Sequence, residues 1–395
     1  MADFYDVYNQ DYIEVAKRTE RYPRFKVEFL DYSETVIGEL INDISASEAG
    51  NIVNTYNQGV RRKCSFTVID TTGKHLINEN SPFWYHRKFK LYDGLYDIDK
   101  GNTYWFSQGV FFTIGVSVDK NKLSISGCDK FGLFTSDGEN STLEGEYQID
   151  KDTSINNAII DTLLLDNGNG KPIDCITPII DIRLRDIKVP YDISVSGGGH
   201  IGDILIELAT CLGADIYYDS NGHLRVDKGT SDYFYSTKAP QWEFGGNDDI
   251  YIGSTVDYNF QNVINRITVC GDNTEGEVFS YTAENHNPSS PTRIEMIGYR
   301  NGDTITTPAG FSNQSCKDYA EYYLEQKTML ATSISITTPL IPHFDVDKII
   351  TLTDKYYKYE KQRFIVTEVE VPLGIDVMNI KACNVASLPY ITEMN

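Results

Sequence analysis

At 395 residues the chain is long enough for two or three domains with their own cores, and 41% apolar against 23% charged residues excludes a disordered protein. Its 57 acidic and 35 basic residues leave a net charge of −22, which repels nucleic acid and anionic membrane and excludes a DNA binder of the usual basic kind. No apolar run approaches the ~20 residues of a membrane helix. The opening "MADFYDVYNQDYIEVAKR" lacks the layout of a signal peptide, so synthesis in the cytoplasm is expected.

In chain order, a short helix is predicted around residues 10–19. Residues 24–150 then read as strands: "RFKVEFLD", "RRKCSFTVID", "HRKFKLYDG", "GVFFTIGVSVD" and "KLSISGCDKF" are β-rich and separated by Gly, Asn and Asp turns. Tyr and Phe, abundant here, favour half-buried strands. Residues 1–150 are therefore expected to form a β-barrel or sandwich.

The texture changes at 151. "TSINNAIIDTLLLDNGNG" begins with Thr153 or Ser154 as a helix cap and ends in a glycine pair. A second helix is predicted over 201–213, where Ile201, Ile204, Leu205, Leu208, Ala209 and Leu212 share one face and Gly213 stops the helix. "ADIYYDSNGHLRVDKG" follows, a hairpin turning through Asp219-Ser220-Asn221-Gly222. Residues 151–249 thus read as a small α/β insert. From 250 to 395 strands return, from "IGSTVDYNF" to "DVMNIKACNV", with one helix carrying Cys316, Tyr319, Ala320, Tyr323, Leu324 and Leu330 on a single face. The expected fold is mainly β with a small α/β insert: two β-barrel domains flanking a helix–hairpin module.

Four groups of residues could carry chemistry. Gly197, Gly199 and Gly202 have dinucleotide-loop spacing, but such a fold needs a parallel strand on either side of the following helix, and here a hairpin follows it. They are expected to be a loop before a helix, with no cofactor. "DNGNGKPID" and "DSNGHLRVD" superficially resemble calcium loops; the first has Gly168 in a ligand position and the second lacks the closing Glu, so both read as turns. His75, His86, His200, His223, His286 and His343 are isolated, without zinc-ligand spacing, and no G-x-S-x-G occurs. Glu139, Glu144 and Glu146 could hide a glycosidase pair, which only separation in space would reveal.

The seven cysteines, Cys64, Cys128, Cys175, Cys211, Cys270, Cys316 and Cys383, are scattered and contain no C-x-x-C. They are expected to be buried free thiols. Trp84, Trp105 and Trp242 could form a glycan-binding face, or serve as core and interface aromatics.

The succession "RRKCSFTVIDTTGKH", "YWFSQGVFFTIG", "YDSNGHLRV", "NRITVCGDN" and "QRFIVTEVEVPL" resembles the baseplate or tail hub proteins of tailed phages and phage-tail-like bacteriocins. That resemblance implies two tail-tube-like barrels per chain and a homotrimer whose six barrels form a ring. One side of the ring would meet the tail tube or distal tail protein, the other a spike or tail-tip protein, and DNA would pass through without specific binding. It implies a virion tail location, no membrane partner and no enzymatic activity. No appended lysin domain is expected, because the last strand lies close to Asn395. The competing expectations are a wall-degrading tail enzyme and a glycan-binding tail module.

Overall fold

A computed structural model describes residues 10–41, 50–56, 58–85, 87–136, 142–166, 170–228, 238–246, 250–257, 263–271, 279–307, 312–328, 333–374 and 377–384. The N-terminal segment contains α1 (Gln10–Lys17), β1 (Pro23–Leu30), β2 (Val36–Leu40), β3 (Gly50–Thr55), β4 (Arg62–Ile69), β5 (Lys88–Asp97), β6 (Asn102–Asp119), β7 (Lys122–Asp129) and a 3₁₀ turn (Lys130–Phe134). Just before the insert comes β8 (Tyr147–Ile149), and the insert contains α2 (Ile155–Leu163), β9 (Ile179–Ile180), β10 (Ile193–Val195), α3 (Ile201–Cys211), β11 (Ala214–Tyr218) and β12 (Leu224–Lys228). Then follow β13 (Trp242–Gly245), β14 (Gly253–Asp257), β15 (Arg266–Gly271), β16 (Ser280–Glu284), α4 (Ile294–Ile297), β17 (Ile305–Thr307) and α5 (Asn313–Thr328). The last strands are β18 (Ser333–Pro339), β19 (Ile349–Asp354), β20 (Tyr359–Pro372) and β21 (Val377–Asn384). With 46% strand against 15% helix, the mainly β expectation holds.

Alternation decides which faces are buried. In β4, Cys64, Phe66 and Val68 point into the core while Lys63 and Ser65 point out. In β18, Ile334, Ile336 and Thr338 are the inward set. Thirteen strands join in one sheet, ordered β14-β18-β21-β20-β3-β4-β7-β6-β5-β1-β2, with β19 pairing β20 and β13 pairing β19 in parallel. The 18-residue β6 serves two neighbours, its first part pairing β5 and its last part β7. Where β3 begins, Gly50 has φ +96, and a Cβ there would lie 2.0 Å from the Ser65 carbonyl oxygen. Only glycine fits.

The β3–β20 ladder sets Val371 opposite Ile52 and Val369 opposite Asn54. It ties the two β-rich segments edge to edge, so they share one sheet and one core. Phe66, Phe89 and Phe111 from the first belong to the same apolar cluster as Trp242, Ile336 and Phe364 from the second. Residues 263–324 stand apart from that sheet: β15, β16 and β17 form their own three-stranded sheet, and α5 packs Cys316, Ala320 and Leu324 against Ile267 and Val269. Leu330, expected on the same helix face, lies outside the described residues.

The insert has a separate core in which Ile159 and Leu163 of α2 meet Ile204, Leu205 and Leu208 of α3 and Ile216 and Val226 of the hairpin. Gly213, at φ +56, ends α3 as expected. The predicted hairpin is present, with β11 and β12 antiparallel and Tyr218 opposite Leu224.

A buried ionic cluster fixes the insert on the N-terminal segment. Lys130 is wholly buried, its Nζ 2.6 Å from Glu34 Oε1 and 2.9 Å from Asp174 Oδ2. Lys88 reaches the same Glu34 oxygen at 3.0 Å, and the Tyr218 hydroxyl donates to Asp174 Oδ2 at 2.6 Å. Burying an ammonium costs more than one contact returns, so both carboxylates are needed. Lys130→Met leaves Asp174 without its cation in a buried site and Glu34 with Lys88 alone, and is expected to lower the unfolding free energy by about 3–5 kcal/mol. Urea denaturation, read as a fall in midpoint at unchanged slope, checks this.

Candidate functional site

The three parts of the chain converge on a cleft of about 370 Å³ whose lining includes Arg62, Trp105, Gln108, Asn221, His343 and Asp345. Each wall comes from a different part. β4 and β6 supply Arg62 and Gln108, the β11–β12 turn supplies Asn221, and the loop before β19 supplies His343 and Asp345.

Arg62 is 2% exposed. Its Nη2 lies 2.9 and 3.0 Å from the two Asp345 oxygens, its Nη1 donates to the Tyr218 carbonyl, and its backbone N–H donates to Asp129 Oδ2 at 2.7 Å. Asp129 also accepts from the backbone of Arg61 at 2.8 Å and Phe131 at 3.1 Å. Burial raises the Asp129 carboxyl to about 6, although those backbone donors pull it down.

Around this centre the cross-links are polar. Gln108 Nε2 donates to the Pro342 carbonyl at 2.5 Å, and Ser107 donates to the Ser220 carbonyl. Gln58 bridges to the insert through the Ala214 carbonyl (3.1 Å), the Asp215 carboxylate (2.8 Å) and the Ile216 N–H (2.8 Å). Tyr322 of α5 reaches the same Asp215 at 3.3 Å. Arg61 stacks over the Tyr217 ring at 3.5 Å. Each of these cross-links joins residues more than a hundred positions apart in sequence.

His343 stands in an aromatic nest. Its Nδ1 is 2.6 Å from the Tyr12 hydroxyl, and the rings of Tyr12, Phe106 and Trp242 lie 5.4–6.0 Å away. Burial pushes the imidazole down to about 3, so it is neutral at physiological pH. Through Tyr12, α1 is fastened across both β-rich segments.

The residues singled out by sequence are dispersed. β10, before the glycine loop, is three residues long and antiparallel to β8. The loop is tied to the segment at Leu143 by Gly198 N–H to Leu143 O (2.8 Å) and Leu143 N–H to Gly199 O (3.0 Å). A Cβ on Gly202 would lie 2.8 Å from the Phe134 carbonyl oxygen. These glycines thus permit close backbone packing. In the second acidic turn, Asp219 Oδ1 accepts from the N–H groups of Asn221 and His223 at 2.9 and 3.0 Å, an Asx turn; Gly168 of the first lies outside the described residues.

His75 is buried, His200 precedes α3, and His286 is exposed between Glu295 (2.6 Å) and Glu284 (3.0 Å), which raise its pKa. His86 and Glu139 lie outside the described residues, and Glu144 and Glu146 are exposed. Among the described residues no three His, Cys, Asp or Glu side chains gather as a metal site requires.

One expectation needs correction. The cysteines are not uniformly buried: Cys64, Cys128, Cys316 and Cys383 are, but Cys211 and Cys270 are partly exposed and Cys175 is exposed. Periodicity placed Cys211 on an apolar helix, and it falls in the last turn, at the margin of the buried face. The tryptophans follow the core-and-interface alternative rather than a shared glycan-binding face, since Trp242 is 1% exposed in the core and Trp84 is 40% exposed.

No protein-family model matches the sequence, and no curated protein matches it. Solved structures do. The tail protein from Neisseria meningitidis MC58 superposes with a TM-score of 0.61 at 11% identity, over 92% of this chain and 96% of that one. The 43 kDa tail protein of prophage MuSo2 from Shewanella oneidensis gives 0.60 at 12% identity, over 92% and 99%. The chain has the fold of phage tail proteins. A chain of the Francisella PdpA–VgrG complex shares it at a TM-score of 0.54 and 10% identity, matching 95% of this chain but 54% of its own length. The resemblance stated from sequence therefore holds in the architecture of the tail-protein fold, while at such identity few side chains are shared.

The nest around His343 has a consequence for acid stability. The folded imidazole titrates near 3 and the unfolded one near 6.5. Between those values the unfolded chain binds the extra proton, so this contribution is complete above pH 6.5 and is lost as pH falls toward 3. Asp129, with its raised pKa, acts in the opposite sense, so the informative quantity is a difference between variants. From pH 7.5 to pH 5 the wild type is expected to lose about 2 kcal/mol more than His343→Gln, measured by urea unfolding at both values.

Proposed function

We propose that the chain is a structural baseplate or tail hub protein, of a tailed phage or a phage-tail-like particle, that forms a homotrimeric ring. In this reading residues 1–150 and 250–395 supply two tube-like β elements per chain, and 151–249 are the insert. Three chains then present six such elements, so a threefold ring offers a nearly sixfold face to the tail tube or distal tail protein and a threefold face to a spike or tip protein. A closed ring of this kind is a head-to-tail assembly. DNA passes through the channel unbound, and the protein belongs to the virion tail after assembly in the host cytoplasm.

The observation that carries the proposal is the tail-protein fold over 92% of the chain, with both β-rich segments in one sheet. A structural rather than an enzymatic role is supported by what the buried polar groups of the junction do. Arg62, Lys130 and Asp215 are each engaged in joining parts of the chain. Net acidity suits a channel for DNA, because bound phosphates would hold the polymer in place. Cryo-electron microscopy of the assembled tail is expected to show three copies around a central channel at the distal end of the tube. Six copies, a peripheral position or a single β element per chain in the ring would refute the hub assignment.

A further inference from the structure

The long sheet ends in two unlike edges. At one end, β2 pairs with β1 and, among the described residues, with no other strand. Val36 and Ile37 on it are 51% and 63% exposed. Residues 31–41 contain three acidic residues and no basic one. Glu34 is spent on Lys88 and Lys130, whereas Glu39 stands exposed on the strand. An exposed apolar strand edge is a template for another chain.

At the other end β14 pairs with β18 and, among the described residues, with nothing else. Ile252, just before it, is 59% exposed. Beside this edge the β19–β20 turn projects as a finger. Residues 354–363, "DKYYKYEKQR", hold four basic and two acidic residues, a net +2 that leaves −24 on the rest of the chain.

The finger is preorganised. Tyr356 at its tip is 86% exposed, and it heads a line of rings: Tyr356 to Tyr357 at 5.1 Å, Tyr357 to Tyr359 at 5.7 Å, and Tyr359 to the buried Phe364 at 5.6 Å. Asp354 Oδ1 accepts from the backbone of Tyr356 at 2.8 Å and Tyr357 at 3.2 Å, and its Oδ2 accepts from the Tyr251 hydroxyl at 2.9 Å. The Tyr357 hydroxyl donates to the Ser254 carbonyl at 3.3 Å, fastening the finger to β14. Lys358 and Lys361 are held at φ 58 and 50, a conformation that disfavours residues with a Cβ and persists where surrounding structure imposes it. A rigid, exposed tyrosine flanked by cations has the makeup of an interface anchor.

We infer that the β19–β20 finger of one copy docks on the β2 edge of the next. The inference rests on the ring reading and names the surfaces that would close it. A second copy is the occupant that the charges select: finger on finger would oppose cations, and β2 on β2 would oppose carboxylates. Finger on β2 joins basic to acidic and covers Val36 and Ile37. Because the finger and the β2 edge are different surfaces of the chain, the contact is head to tail, the kind that closes rings.

Photo-crosslinking in assembled tails tests this, with Tyr356→p-benzoylphenylalanine in the full chain. The expected product is a covalent dimer whose cross-linked peptide falls within residues 31–41. Glu39→Lys should lower the yield about tenfold, and adding Lys358→Glu should restore it to within about twofold. A cross-link to a different tail protein, a peptide elsewhere in the second copy, or no product overturns the docking. Copies counted by cryo-electron microscopy in the same particles separate the two readings. Three copies without the cross-link would retire the docking and leave the ring, whereas the cross-link with another copy number would keep the docking and retire the threefold ring.

Discussion

Arg62 is the point at which the three parts of the chain are fastened together. Its backbone belongs to Asp129, one guanidinium nitrogen to the Tyr218 carbonyl of the insert, and another to both oxygens of Asp345 in the C-terminal segment. A guanidinium suits the position because its donors point in fixed directions and its charge is permanent. Lysine would serve one partner and leave another unsatisfied. Removing one member of such a buried pair costs about 3–5 kcal/mol, yet an intact pair adds little net stability over a well-packed apolar substitute. The junction therefore fixes geometry, and the apolar core spanning both β-rich segments supplies most of the stability.

Features set by neighbouring residues were legible in the sequence. The Asp219–Gly222 hairpin follows from turn chemistry, and the buried face of α3 follows from spacing, because both signals lie within a dozen residues. The β3–β20 ladder was not legible: Val53 and Glu370 are more than three hundred positions apart, and nothing local marks either strand as the other's neighbour. β13 was missed for a related reason, since four residues pairing in parallel with a distant strand leave no periodic trace.

The candidate site was the least legible part. Lys130 in "CDKFGLF" reads as a surface lysine, since lysine is rarely buried without a partner; its partners Glu34 and Asp174 are 96 and 44 positions away. Gln58, Arg62 and Asp129 belong to no motif. The glycine loop had the strongest motif in the chain, and its glycines answer to the neighbouring backbone at Leu143 and Phe134. Spacing alone does not distinguish a glycine kept for a ligand's approach from one kept for the approach of another backbone segment.

A net charge of −22 looks unfavourable for a protein whose proposed role is to meet copies of itself. At physiological ionic strength, however, charges farther apart than about 8 Å are largely screened, so the overall charge acts mainly on the approach of free chains. Contact is decided within that distance, by the few side chains that meet. A short basic stretch such as 354–363 can then reverse the local sign without changing the character of the whole surface. The acidic remainder also disfavours contacts in any other register, since most alternative pairings bring carboxylates together. Acidity and association are compatible when the reversed patch is small, rigid and placed at a sheet edge.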